Sequence, residues 1–326
     1  MRAILTLLAL LIAAATLGGV EAKASPKDKR IALLVSLTTN PFIGAWTSTF
    51  IKNAEPYGMK VTTFTSPYDA AVQSQEIDDA IAQKFDLILL SSINEQAVLP
   101  ALTRAKAAGV PVVLIITPLQ QQFEQLFESY VGTDHTELGQ IAGENLVKAL
   151  AEEGKTKALI AAITGTATQL NVRLRMAGLR SVLAQHPGIE LAAEEDGQWQ
   201  TAASEKIAGQ LLVRFSARGG LDAMFGMADN QATGIIRAIE AAGLKLGVAN
   251  KGMVVVASNC MKDGIIHIRS GEQFSTATQI PTEEAKVTAD KVAAYFNGEK
   301  LNKYEIVRSY AVTTESLDKF AAACSY

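Results

Sequence analysis

The stretch IALLVSLTTNPFIGAW, residues 31–46, passes from an uninterrupted apolar run into a polar segment and then into Asn40-Pro41-Phe42. The run IALLV has no polar alternation, which is typical of a strand buried on both faces. Proline is well tolerated in the first turn of a helix, so the Asn-Pro-Phe segment predicts a helix start. The stretch therefore predicts a strand, a loop and a helix, with two large rings, Phe42 and Trp46, near the helix start.

The same alternation continues along the chain. Further β-rich apolar runs lie at 61–65, 86–91, 112–117 and 130–132, and a second series lies at 157–163, 189–193, 223–227, 254–258 and 274–278. Segments with helical spacing lie at 70–83, 97–108, 169–185, 202–216, 231–242 and 283–296. Alternating strands and helices indicate βαβ units with parallel sheets. The sequence thus predicts the α/β fold class, with two doubly wound parallel-sheet lobes.

The first residues have the composition of a secretory signal. Met1-Arg2 precede an apolar run over 3–20, and the small-x-small sequence AKA ends at Ala24. A membrane anchor is the alternative, although the apolar run is barely long enough to span a bilayer. We expect a signal peptide over 1–24, cleaved near Ala24, and a periplasmic location. About 300 residues would then remain, a size that suits two domains.

Composition argues against several classes of partner and cofactor. The formal net charge is −3 and no run of Lys or Arg would build a basic stripe, so nucleic acid is not an expected partner. Two cysteines are too few for a four-cysteine zinc site, and the acidic run 194–196 lacks the spacing of a calcium loop. We expect neither a cofactor nor a metal site. Cys260 and Cys324 form either one disulfide or two small buried apolar side chains.

The residues directly after the predicted strands are candidates for a binding site. Ligands of open parallel sheets lie beyond the carboxyl ends of the strands. The positions concerned are 38–43, 91–94, 117–118, 164–168, Trp199, 228–230, Asn259 and Gln279. Their amides, hydroxyls and rings suit a small neutral polyhydroxylated ligand, because amides bind hydroxyls and flat rings cover C–H faces. At any one position, the alternative is a turn former or a helix cap.

Several strings carry a family resemblance: IALLVSLTTNPFIGAW, LTRAKAAGVPVVLI, YVGTDHTELGQIAGENL, NVRLRMAGLR, LDAMFGMADNQATGIIRAIEAAG and FSTATQIP. Together they resemble the ribose-type periplasmic solute-binding proteins of bacterial ABC sugar importers, which have the periplasmic-binding-protein-like I fold. The resemblance covers essentially the whole chain after the signal sequence.

The resemblance implies a monomer of two lobes that closes on a sugar by hinge motion at three interdomain crossings. The N-terminal lobe would comprise 25–132 with 280–306, and the C-terminal lobe would comprise 133–279 with 307–326. The implied partners are a small sugar or polyol and the membrane subunits of an ABC permease, which would bind the closed form.

The resemblance also implies ligand contacts. Asn40 would supply an amide and Phe42 a stacking ring, with Ile43 beside them where a second aromatic is often found. The other expected ligand-binding residues are Thr117, Arg175, Trp199, Asp229, Asn259 and Gln279. Trp46 lies one helical turn beyond Phe42 and is expected to pack in the core instead.

The sequence departs from that family at three polar positions. Many sugar-binding members have an Asp-Arg pair after the fourth strand, where this chain has Ile116-Thr117. Asn259 replaces an aspartate, and Ala228 replaces an asparagine. Fewer charge-assisted hydrogen bonds are then available to a ligand. A short polyol, a deoxy sugar or a furanosyl compound becomes plausible, and so does a sugar acid whose carboxylate meets Arg175.

No pattern in the sequence predicts catalysis. His135, His186 and His267 occupy positions typical of structural histidines, and no nucleophile–base pair stands out. We expect no catalytic residue and no enzyme activity. The expected function is that of a periplasmic substrate-binding protein of an ABC importer. The alternative is a sensory subunit of the same fold that docks on a chemoreceptor or a histidine kinase.

Overall fold

The fold is described from a computed structural model of residues 25–326. The predicted signal peptide, 1–24, lies outside the described residues. Across residues 25–326, no helix combines the length and the apolar character needed to cross a bilayer.

The strands follow the predicted alternation closely. They are β1 Arg30–Val35, β2 Lys60–Thr65, β3 Leu87–Leu90, β4 Val112–Ile115, β5 Ser129–Thr133, β6 Ala158–Thr164, β7 Ile189–Asp196, β8 Ala223–Gly226, β9 Val254–Val256, β10 Thr276–Ala277, β11 Tyr304–Val307 and β12 Ala311–Val312. A six-stranded parallel sheet has the order β11-β5-β4-β3-β1-β2. A four-stranded parallel sheet has the order β7-β6-β8-β9. Two doubly wound sheets are therefore confirmed.

The helices connect these strands and cover the sheets. They are α1 Pro41–Ala54, α2 Ala70–Ala82, α3 Glu95–Ala107, α4 His135–Glu152, α5 Leu170–Leu183, α6 Thr201–Ser216, α7 Asp229–Ala241, α8 Lys262–Ser270, α9 Pro281–Phe296 and α10 Leu317–Phe320. Short 3-10 helices lie at Glu55–Tyr57, Gln121–Leu126 and Val248–Asn250.

Two predictions about these elements need correction. The apolar run 274–278 was expected to be a strand of the second parallel sheet. The segment does run parallel beside β9, through the Val256–Ser275 pair and the bond from Phe274 N–H to the Val255 carbonyl, but its regular strand is only Thr276–Ala277, which also pairs antiparallel with Ala311–Val312. The second correction is α4, which the predicted elements lacked although it is an 18-residue helix.

The strand β1 shows why the apolar run has no polar alternation. Ile31, Leu33 and Val35 belong to the core that includes Trp46 of α1. The intervening Ala32 and Leu34 belong to a second core, on the opposite face, together with residues of α2 and α3. Because helices cover both faces of the sheet, every position of the strand interior is apolar.

The chain passes between the two sheets three times within residues 25–326. It leaves β5 for α4, returns between β10 and α9, and leaves β11 for β12. These crossings lie side by side, because β5 and β11 are neighbouring strands. The residue limits of each lobe, as given above, stay a prediction.

Cys260 and Cys324 form a disulfide with a Cα–Cα distance of 5.1 Å. Both residues are fully buried among Ile265, Ile268 and Val312. Of the two alternatives that the sequence left open, the disulfide is therefore the one observed.

Candidate functional site

A cavity lies between the two lobes, at the carboxyl ends of the parallel strands. The space open to the centres of water molecules is about 40 Å³. With the radius of water added, this corresponds to a space on the order of 200 Å³, which suits one sugar-sized ring. Both lobes supply the lining, which consists of Ser36, Asn40, Phe42, Ile43, Tyr68, Ser91, Ile116, Thr117, Gln169, Asn171, Arg175, Trp199, Ala228, Asn230, Asn259 and Gln279.

The segment Asn40-Pro41-Phe42 builds one wall of this cavity. The Asn40 Oδ1 accepts hydrogen bonds from the backbone N–H groups of Phe42 (3.0 Å) and Ile43 (3.3 Å), so Asn40 caps α1. The cap holds the amide nitrogen of Asn40 on the cavity side, while the Phe42 ring closes the wall. Trp46 is fully buried, stacks on Phe50 and does not line the cavity, as predicted.

Arg175 forms the centre of the opposite wall. Its side chain is 1% exposed and donates four of its five N–H groups to protein acceptors. The acceptors are His135 Nδ1 (3.2 Å), the Met227 carbonyl (2.9 Å), Asn259 Oδ1 (2.9 Å) and Gln279 Oε1. Burial lowers the pKa of Arg175 to about 10, so the guanidinium is charged at neutral pH. One N–H of Nη2 remains for a ligand.

His135 orients this arginine from behind the cavity wall. Its Nδ1 accepts from Arg175, so its Nε2–H is the donor to the Ile116 carbonyl, at 2.7 Å. Burial, followed by the Arg175 charge, holds the pKa of His135 well below its ordinary value. The neutral ring thus links an arginine of one lobe to the strand end of the other.

Four cavity residues have a backbone conformation that side chains rarely adopt. The φ angles are 53° at Tyr68, 60° at Ile116, 58° at Trp199 and 90° at Asn259. A positive φ is a genuine outlier for a β-branched residue such as Ile116, and such strain concentrates at ligand sites. The Thr117 hydroxyl beside it is buried without a hydrogen-bond partner in the described chain.

Trp199 provides the second aromatic wall. Its Nε1–H donates to Gln169 Oε1 at 2.7 Å, and its ring centroid lies 5.5 Å from the Arg175 guanidinium carbon. The ring also lies against Gly165, where a Cβ atom would be 1.9 Å from Trp199 Cε2. Only glycine therefore allows this ring position.

The lobes contact each other at the rim of the cavity. Thr168 Oγ1 donates to the Ile93 carbonyl at 3.3 Å, and Arg173 forms an ion pair with Glu95. Glu95 is 1% exposed and is the first residue of α3. These contacts cover the cavity on the side of the rim.

The predicted site residues lie on the cavity lining, with one exception. Asp229 is fully buried behind the wall, where its carboxylate accepts from the Met261 N–H (2.7 Å), Gln273 (2.8 Å) and Thr276 (3.0 Å). Its predicted ligand contact would need the loss of these bonds. Its burial raises its pKa to about 7.

Several lining residues were absent from the predicted site. Ser91, Ala228 and Asn230 lie after strands and belonged to the wider set of candidates. Tyr68 follows β2 in the same way, so its position was a usable signal. The others carry no motif that marks them: Ser36, Ile116, Gln169 and Asn171.

Among the described residues, no group of three or more His, Cys, Asp or Glu side chains could hold a metal ion.

Glu284 is the buried carboxylate nearest to the arginine wall in the hydrogen-bond network. Its Oε1 accepts from Thr133 Oγ1 (2.6 Å) and Gln279 Nε2 (3.2 Å), and burial raises its pKa to about 7.

Comparison with known proteins gives consistent matches. The family described as "Periplasmic binding protein domain" matches residues 31–300. The ribose import binding protein of Escherichia coli (strain K12) is 28% identical over 306 residues, which are 92% of this chain and 96% of that protein. The crystal structure of a galactofuranose binding protein has a TM-score of 0.83 at 18% identity, covering 90% and 97% of the two chains. The periplasmic binding protein of an arabinose ABC transporter from Shewanella sp. ANA-3, bound to L-arabinofuranose, has a TM-score of 0.82 at 21% identity, covering 91% and 95%.

Proposed function

We propose that this chain, which belongs to the periplasmic binding protein family, binds a small sugar or polyol between its lobes and delivers it to the membrane permease of an ABC importer. The observation that carries the proposal is the cavity between the lobes, lined from both of them by amides, hydroxyls and the rings of Phe42 and Trp199. Amides pair with hydroxyls and flat rings cover sugar C–H faces.

The named relatives support a ligand of one sugar ring. Their names give ribose, galactofuranose and L-arabinofuranose as ligands of those proteins. A cavity on the order of 200 Å³ has room for one such ring and too little for two. The predicted signal peptide adds a periplasmic location to the proposal, and the chain would work without enzyme activity.

In this proposal, ligand binding drives closure. Asn40 and Phe42 contact the ligand from one lobe, while Arg175, Trp199 and Asn259 contact it from the other. A ligand shifts a conformational equilibrium only through interactions that differ between the two states. Contacts from both lobes exist only when the lobes are together, so the bound ligand stabilises the closed form. The permease would then bind that form.

A thermal-shift screen tests the proposal. The chain without its signal peptide is unfolded and refolded to remove carried-over ligand and then screened against pentoses, hexoses, polyols, sugar acids and amino acids. A ligand at a hundred times its dissociation constant stabilises the folded state by about 2.7 kcal/mol, which raises the midpoint by several degrees. A shift with sugar-like compounds supports the proposal. Shifts confined to amino acids, or no shift at all, would contradict it.

A further inference from the structure

Arg175 is a buried cation without an anionic partner. Across the described residues it forms no ion pair, and each of its acceptors is neutral: an imidazole, a backbone carbonyl and two amides. Buried charges in proteins are normally paired, because removing an ion from water is costly. The guanidinium therefore has no negative charge in contact with it, and Glu284, the carboxylate whose charge favours it most, does not line the cavity.

The nearby carboxylates do not supply that charge at the cavity. Glu284 is separated from Arg175 by Gln279, whose Oε1 accepts from the arginine while its Nε2 donates to Glu284. Asp229 is occupied by three donors of its own behind the wall. The cavity lining itself contains Arg175 and no Asp or Glu.

Three asparagines of the lining also present donors rather than acceptors, while a fourth, Asn230, donates to the Trp199 carbonyl and keeps its Oδ1 as an acceptor. The Oδ1 atoms of Asn40 and Asn171 accept from backbone N–H groups, and that of Asn259 accepts from Arg175. These bonds fix which end of each amide is the oxygen. The three Nδ2 groups have no acceptor among the described residues, so they are free to donate to a ligand. Together with the free N–H of Arg175, they form a donor-rich, positively charged surface.

A neutral sugar leaves the Arg175 charge unbalanced, because its hydroxyls carry no charge. We infer that the ligand is a small sugar acid, whose carboxylate is bound by the free Arg175 N–H and the amide of Asn259, and whose hydroxyls occupy the rest of the cavity. The inference rests on the proposed function and specifies the class of ligand for the same site. Hydrogen bonds from a charged donor to a carboxylate are about twice as strong as neutral ones.

The test compares ligands that differ only at C1. The refolded chain without its signal peptide is titrated by calorimetry with an aldonate, the aldose and the alditol of the same skeleton, at equal ionic strength. Ribonate, ribose and ribitol form one series, and the arabinose and galactose skeletons form two more. In at least one series the aldonate should bind at least about tenfold more tightly than both neutral compounds, as expected for one added charged hydrogen bond.

The variant Asn259→Asp provides the second arm. It places a carboxylate next to Arg175, where Asn259 Oδ1 already accepts from Nη1 at 2.9 Å. The new side chain keeps the shape and the bond to the arginine but supplies the missing negative charge itself. The ratio of aldonate affinity to aldose affinity should therefore fall by at least about tenfold relative to the wild type.

The outcomes separate this inference from the proposed function. If neutral compounds bind more tightly than their aldonates in every series, the sugar-acid inference is wrong and the proposed function stands. A ratio of aldonate to aldose affinity that is unchanged in a folded Asn259→Asp variant would overturn the placement of the carboxylate. If no compound of any series binds to the wild-type chain, the proposed function itself fails.

Discussion

Gly165 leaves the space in which the Trp199 ring lies. A Cβ atom at position 165 would be 1.9 Å from Trp199 Cε2, so Gly165→Ala must displace the ring. The displacement would break the bond from Trp199 Nε1 to Gln169 and open the cavity wall. We expect ligand affinity to fall by at least about tenfold, with a loss of stability of about 1–3 kcal/mol from overpacking.

Calorimetric titration with the ligand identified by the screen measures this effect. Gly209→Ala is the matched control, because Gly209 lies inside α6 with nothing within 4 Å of its Cβ position. Alanine there should raise helix stability slightly and leave affinity unchanged. Equal affinity of the two variants would mean that Trp199 does not contact the ligand.

Glu284 makes stability depend on pH. Its pKa is raised from 4.5 to about 7, with burial as the main cause. The folded state therefore holds its proton more tightly than the unfolded state, and the stability from this group is lost as pH rises through about 7. Between pH 6 and 8.5, the fall in the free energy of unfolding should be smaller in Glu284→Gln than in the wild type by about 1 kcal/mol.

The neighbouring exposed Glu283 gives the control Glu283→Gln, whose pH profile should match the wild type. Asp229, whose pKa is also raised to about 7 by burial, contributes in the same direction and is unchanged in both variants. The pKa of His135 is lowered, so its ring stays neutral over this range. Identical profiles for Glu284→Gln and the wild type would show that Glu284 does not titrate there.

At the scale of single residues, the sequence predicted which residues line the cavity better than it predicted their hydrogen-bond partners. The family resemblance led to Asn40 and Arg175, and both line the cavity. It could not show that Arg175 donates four of its N–H groups to protein acceptors, because the acceptors belong to segments that are distant along the chain. Tyr68 was missed although it follows a strand, whereas Asn171 lies within a helix where nothing local marks it.

At the scale of elements, the disulfide links the last segment of the described chain to the segment before α8. Cys324 lies just after α10 and bonds to Cys260, which precedes α8. Tyr326 beyond it donates to the Asn259 carbonyl at 2.7 Å and contacts the Phe42 ring of the other lobe. The bond thus holds an aromatic residue against the cavity wall.

We expect the disulfide to stabilise the fold by about 4 kcal/mol, because it joins residues 64 apart and restricts the unfolded chain. The double variant Cys260→Ala/Cys324→Ala should melt on the order of 10 °C below the oxidised wild type. Differential scanning calorimetry measures the difference. Dithiothreitol should lower the midpoint of the wild type and leave the double variant unchanged; a wild type insensitive to reduction would contradict the expectation.

Strands buried on both faces were the elements most readily predicted from sequence. Runs such as IALLV suit a sheet that is covered by helices on both faces, because each side chain of the strand interior is then buried. Residues 274–278 run beside β9 as predicted, through the Val256–Ser275 pair, but the sequence did not predict that Thr276–Ala277 also pairs antiparallel with Ala311–Val312. Such pairing depends on where the chain returns, which hydrophobic pattern alone does not encode.

At the scale of the whole molecule, contacts between the lobes enclose the cavity. Arg173 with Glu95 and Thr168 with Ile93 join the lobes at the rim, while His135 and the Ile116 carbonyl join them behind it. The sequence predicted the two lobes and, by resemblance, the cleft between them. It assigned no role to Arg173, because the partner of a surface arginine across a cleft is set by tertiary structure.

The central claim is that the ligand binds inside the cavity between the lobes. Ala228 lines that cavity, is 1% exposed and has an extended backbone that accepts a larger side chain. The centres of water molecules have access to only about 40 Å³ of this cavity. The larger side chain of the variant Ala228→Leu would fill part of that space. Ala217→Leu, at an exposed position after α6, is the matched control.

The most direct measurement is therefore a calorimetric titration of the wild type and these two variants with the ligand found in the screen. The account predicts that Ala228→Leu loses binding by at least about a hundredfold, since an occupied site leaves no room for the ligand, while Ala217→Leu binds like the wild type. Wild-type affinity in a folded Ala228→Leu variant would show that the ligand binds elsewhere.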